Sequence, residues 1–153
     1  MSVPIPAADP PDLAGLPVWW GGLRAGAVCY DAGRFWHAHE AWEEVWHRHR
    51  ALDRHYFKGL IQFTAACHHL TRARWSAARR LLELGPAHLV ANRPHAWPVD
   101  TAHLLVVAAV LAAALDRGRH PRPPALHLTR MIDHRQGEHR GGDQVGATAP
   151  PAG

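Results

Sequence analysis

Lysine is almost missing from this chain of 153 residues: Lys58 is the only one among 17 basic side chains, the rest being arginine. That bias, beside abundant alanine, proline and glycine, is how a GC-rich genome writes proteins, so a net charge of +4 is no sign of nucleic-acid binding by itself. The 13 acidic residues are interspersed, and one cluster, Arg72, Arg74, Arg79 and Arg80, is basic enough to suggest a stripe; it reads as a solvated helix face. A nucleic-acid partner is not expected. Cysteine is scarce too. Cys29 and Cys67 lie in apolar helical segments, which excludes a disulfide scaffold or a cysteine zinc site and leaves two buried free thiols. Ser2 and Ser76 are the only serines, and neither they nor the cysteines have an adjacent base, so nucleophilic catalysis is not supported. Alternating strand patterns are absent, which argues against a sheet. The longest apolar run, Leu104 to Leu115, falls well short of the roughly 20 residues needed to span a bilayer. The N-terminus has neither a basic start nor an apolar core, so no export signal is read there and a cytoplasmic location is expected.

Helical periodicity fills the space these absences leave. Pro4, Pro6, Pro10, Pro11 and Pro17 mark residues 1–17 as a disordered lead-in, and the Gly- and Pro-rich residues 133–153 read as a disordered tail. Between them, 18–132 form one all-α domain. Helices are expected over 18–30, ending at the turn Asp31-Ala32-Gly33, over 35–49, and over 55–71. A fourth runs from Trp75 to Leu84 before Gly85-Pro86, with a short continuation at an angle over 87–92. Asp100 should cap a last helix that reaches Arg117. Short loops favour antiparallel neighbours, so these elements form a compact bundle of about five helices. Whether it forms a homo-oligomer is left open.

Two of these helices place polar groups on faces that should be inward. With about 100° of rotation per residue, Phe35, His39, Trp42 and Trp46 share one face of the second helix, and Glu43 stands one turn from His39. Aromatic residues gather there only if the face is buried. The third helix is apolar around most of its circumference and should be central. It nonetheless carries a stripe of Lys58, Gln62, Ala65, Ala66, His69 and Ala73, in which the small residues leave room for a helix, a ligand or water. Buried polar groups need partners, since leaving one unpaired costs about 1–3 kcal/mol. His39 and Glu43 are therefore expected to converge with Gln62 and His69.

The stretch FWHAHEAWEEVW followed by FKGLIQFTAACHHL resembles the prokaryotic domain-of-unknown-function family 309, marked by HxxxExxW and a Gly-Leu-Ile-Gln helix ending in histidine. The first element falls on His39, Glu43 and Trp46, the second on Gly59, Leu60, Ile61, Gln62 and His69. Asp31 to Phe35 matches the preceding turn, although the family more often has asparagine at the place of Asp31. The resemblance covers residues 20–92 and implies an all-α domain with a metal site at the His/Glu pair. It supplies no reaction.

Three readings follow. His39, Glu43, Gln62 and His69 form a buried hydrogen-bond network that sets helix register. Alternatively they line a site for a divalent metal ion or a small polar molecule, with Trp46 and Lys58 beside them, although the Lys58 ammonium can equally snorkel to solvent. In the third reading His39, Glu43 and His69 hold a metal and Glu40 activates water, as in a metal-dependent hydrolase; His39-Glu40-Ala41-Trp42-Glu43 differs from HExxH by glutamate in the last place. His37, His49, His55, His88, His95 and His103 read as surface or loop residues. His68 should face away from His69, Trp19, Trp20 and Trp75 should pack, and Trp97 should cap the core.

Overall fold

The computed structural model describes residues 15–48, 54–91 and 98–145. Six helices follow one another among them: α1 (Trp20–Asp31), α2 (Phe35–Arg48), α3 (Arg54–Thr71), α4 (Trp75–Ala91), α5 (Thr101–Asp116) and α6 (Leu128–Val145). No strand occurs among the described residues. Each of the first four helices packs on the next, and α6 returns to α1. The lead-in up to residue 14, His49, His95, Trp97 and residues 146–153 lie outside the described residues.

α3 is the central helix, as its all-round apolar pattern predicts: Tyr56, Phe57, Leu60, Phe63, Ala66 and Cys67 are all buried. Both cysteines are buried free thiols. Burial pushes the Cys67 thiol up to about 12, because a thiolate there would lose its solvation. The turn into α2 needs Gly33, which sits at φ 76°, where a side chain is strained. Asp100 caps α5 as expected, accepting from the His103 backbone N–H at 3.1 Å.

Three elements depart from the sequence expectation. α4 continues through Pro86 as one helix instead of breaking at Gly85. α3 braces it on both sides of the proline: a Cβ at Gly85 would lie 3.3 Å from the Gly59 carbonyl oxygen and the Phe63 nitrogen, and one at Gly59 would lie 2.6 Å from Leu89. Tertiary packing thus offsets the backbone hydrogen bond lost at Pro86. The described residues hold six helices, close to the expected number of about five; the sixth, α6, extends over 133–145, a stretch with the composition of a tail. Finally, Trp46 is only partly buried, and the fully buried tryptophan of α2 is Trp42.

α6 is held by residues far away in sequence. Leu126, Leu128 and Ile132 are buried, and Arg24 grips Asp133 through two hydrogen bonds of 2.8 and 3.1 Å. The helix has no acidic residue in its own first turn. Asp31 supplies one from the C-terminal end of α1: its two carboxylate oxygens accept from the Leu128 and Thr129 backbone N–H groups, each at 2.9 Å. These are orphan donors of a helix N-terminus, where negative charge is also favoured by the helix dipole. Asp31→Ala is expected to lower stability by about 1–2 kcal/mol, and amide exchange should accelerate most in α6. Uniform acceleration from α1 to α6 would show that Asp31 serves α1 and not α6.

Candidate functional site

α2 and α3 run antiparallel, and two contacts set their register. Near one end Trp36 lies against His68, with ring centroids 5.2 Å apart. Near the other, Arg54 and Lys58 lie over the Trp46 ring at 4.2 and 4.8 Å. Between these contacts His39 comes about level with Ala65, with Gln62 and His69 on the flanking turns of α3.

His39 is the centre of the cluster. Its side chain is 16% exposed, and its Nδ1 stands 3.5 Å from Glu43 Oε2, a loose approach that leaves Nδ1 without a hydrogen bond. Glu43 is more open and also lies 3.6 Å from His47 Nε2, so one carboxylate sits between two imidazoles on successive turns. Trp36 stacks almost parallel on His39, at 4.8 Å and 11°. Burial holds the His39 imidazole below its ordinary value, against the opposing pull of Glu43 and Glu40, and the Lys58 charge lowers it further.

His69 is half-buried, and its Nδ1 likewise has no hydrogen-bond partner. Burial lowers it first, then the charges of Arg74 and His39. His69 is also the anchor of the turn after α3, because its carbonyl accepts from the backbone N–H groups of both Arg72 and Arg74. Gln62 also has a buried Oε1 without a hydrogen bond. It leans toward α4, where a Cβ at Gly85 would lie 3.5 Å from its own Cβ.

The structure therefore brings His39 close to Glu43 and within electrostatic range of His69 and Lys58. Lys58 and Trp46 are joined to each other, the ammonium lying over the indole face. Among the described residues, no group of three or more His, Cys, Asp or Glu is arranged to hold a metal ion.

Two participants do not follow from the sequence pattern. Trp36 covers His39, and His68, expected to face elsewhere, meets the same indole. His68 is lowered by burial, then by Arg72, His69, Arg74 and His39. Trp36 stands three residues before His39, and that i,i+3 spacing was the available signal. The consequence is a row of three imidazoles with cationic neighbours at the α3 C-terminal end and carboxylates at the α2 side. Away from it, His55 and His88 are not isolated surface groups: their Nδ1 atoms lie 3.1 Å apart across α3 and α4.

No curated protein and no solved structure matches the chain. A family model does match, over residues 23–81, which run from α1 into α4 and contain every member of the cluster. That stretch is similar to the domain of unknown function DUF309.

Proposed function

We propose that the α2–α3 cluster binds a small polar ligand bearing an anionic group, with His39, Gln62 and His69 as its hydrogen-bonding partners. The observation that carries this reading is that His39 Nδ1, Gln62 Oε1 and His69 Nδ1 are all buried and all without a hydrogen bond. Groups of this kind are uncommon in native proteins, and two imidazoles within electrostatic range of each other, His39 and His69, ask for a reason. A closed structural network would have bonded them to one another. A neutral imidazole offers one donor and one acceptor, so two histidines and an amide suit a ligand with both kinds of group. Arg74 adds positive potential at His69, as Arg72 does at His68 and Lys58 at His39, which favours an anionic group along the row.

A divalent ion is the second reading. His39 Nδ1 and Glu43 Oε2 at 3.5 Å have about the separation of two ligands on one tetrahedral zinc. The same cationic neighbours oppose a cation, however, and His69 does not complete a three-residue set. As it stands, the donor set does not fit a bound metal.

Thermal melts of the wild type, His39→Ala and His69→Gln, with inorganic phosphate, acetate, Zn²⁺ or Mn²⁺ and with chelator, distinguish the readings. A ligand at 100 times its dissociation constant stabilises the folded state by about 2.7 kcal/mol. The expected result is stabilisation of the wild type by an anion, reduced in both variants. Stabilisation by metal that His39→Ala abolishes would move the assignment to the second reading. Equal shifts in all three proteins would reject the site.

pH provides a further check. His39, His68 and His69 are all lowered, so the unfolded chain takes up protons more readily than the folded one. Their contribution leaves stability unchanged well above the ordinary histidine value of 6.5, and stability falls as the pH drops through that value toward the lowered ones. A bound anion favours the protonated imidazoles, so it should flatten this acid limb in the wild type and not in His69→Gln. Parallel acid limbs with and without anion would contradict the assignment.

A further inference from the structure

α5 is apolar over most of its circumference, and an apolar side broken only by His103 faces outward. From Thr101 to Leu115 it contains no Asp, Glu, Lys or Arg. Leu104, Ala108 and Leu111 are buried in the bundle, where α5 packs against α4. On the opposite side Val106 and Val110 are 61% and 63% exposed, and Ala102, His103, Ala109 and Ala113 are exposed with them. A helix that is hydrophobic all round is ordinarily covered all round.

The outward residues are ordered. Ala102, Val106, Ala109 and Ala113 follow one another at steps of four, three and four, the spacing of a seam between two coiled helices. The ends of the face differ in charge. Asp100 is exposed at the start of α5, where one carboxylate oxygen caps the helix and the other has no part in the cap, and Arg117 and Arg119 are exposed just beyond its end, while Asp116 beside them is engaged by Arg79 through both oxygens, at 2.8 and 3.2 Å.

We propose that this face is the interface of a homodimer in which α5 pairs with α5 of a second copy, antiparallel about a two-fold axis. The charges choose both the partner and the direction. Antiparallel pairing sets Asp100 of each copy near Arg117 and Arg119 of the other, and it also opposes the helix dipoles favourably. Parallel pairing would set Asp100 against Asp100 and arginine against arginine. The two-fold arrangement is self-complementary, as a closed dimer requires, and it pairs Ala102 with Ala113 and Val106 with Ala109. A membrane surface suits the face less well, since lipid-binding helices carry Lys and Arg along their polar side and α5 has none there. A single helix pair lies at the small end of stable interfaces, so the dimer should dissociate at micromolar rather than nanomolar concentration.

Sedimentation velocity on the full chain tests this across a concentration range. The wild type should shift from 16.9 kDa toward twice that mass as concentration rises. Val106→Glu should remain monomeric with an unchanged thermal melt, and Arg117→Glu should weaken association about tenfold or more, by setting two carboxylates together. Direction is read by oxidative cross-linking, and the native thiols are buried and do not interfere. A mixture of Ala102→Cys and Ala113→Cys chains should form the mixed disulfide, while Ala102→Cys alone should not, its two copies being about 16 Å apart along the seam. A wild type that stays monomeric to several hundred micromolar would overturn the proposal. So would a dimer unaffected by Val106→Glu, self-cross-linking of Ala102→Cys, or a wild type that binds anionic vesicles through α5 and does not self-associate.

Discussion

Trp42→Ala is expected to lower the free energy of unfolding by about 3–5 kcal/mol, the largest effect of any single α2 substitution. Trp42 is 0% exposed, and its indole Nε1 donates to the Leu23 carbonyl oxygen at 2.9 Å. Alanine removes the packing of a large aromatic, leaves a cavity between α1 and α2, and removes the second hydrogen bond of the Leu23 carbonyl. Trp46→Ala, by contrast, should cost only about 1 kcal/mol, because Trp46 is partly buried and its ring carries Arg54 and Lys58 where a core residue would meet apolar neighbours. Denaturant melts of the two variants make the comparison directly. Equal losses would mean that both indoles are core residues and that Trp46 is not a boundary residue.

The second large effect comes from adding one methyl group. Gly26 faces the Trp42 indole so closely that a Cβ built there would overlap its Nε1. In an open helix, glycine to alanine stabilises by about 1 kcal/mol through helix propensity. Gly26→Ala should do the opposite and cost about 1–3 kcal/mol, since Trp42 is enclosed and must move off its hydrogen bond to Leu23. Gly137 is the control: it lies inside α6 with nothing within 4 Å of where a Cβ would stand, so Gly137→Ala should stabilise. The two sites Gly26 and Trp42 should also be strongly coupled. In the Trp42→Ala background the steric obstacle is gone, so Gly26→Ala should become neutral or stabilising. Additive losses in the double variant would show that Gly26 opposes something other than the indole.

The helices are legible in the sequence because local physics determines them. Gly33 makes the first turn, Asp100 caps α5, and the apolar spread of residues 57–70 marks α3 as central. The site is legible to the same depth. His39 and Glu43 are neighbours because i,i+4 residues share a helix face, and no fold is needed to establish that. What a helical face cannot tell is how far along its length it is covered. Trp42 and Trp46 stand on the same side of α2, and only the positions of α1 and α3 make the first a core residue and the second a platform for cations. α6 was hidden for a related reason. Its own sequence is polar and lacks a capping acid, and its N-terminal donors are satisfied by Asp31, 97 residues before Leu128. Gly85-Pro86 reads as a break until α3 is seen holding both halves in line. Trp36 and His68 join the site through a contact between helices, which intrahelical spacing does not encode. Sequence by itself determined that α1 to α3, the first part of α4 and α5 are helical and which of their residues share a face; the tertiary structure decided which faces are covered, how far α4 runs and that α6 forms, because burial depends on chain segments brought together from far apart.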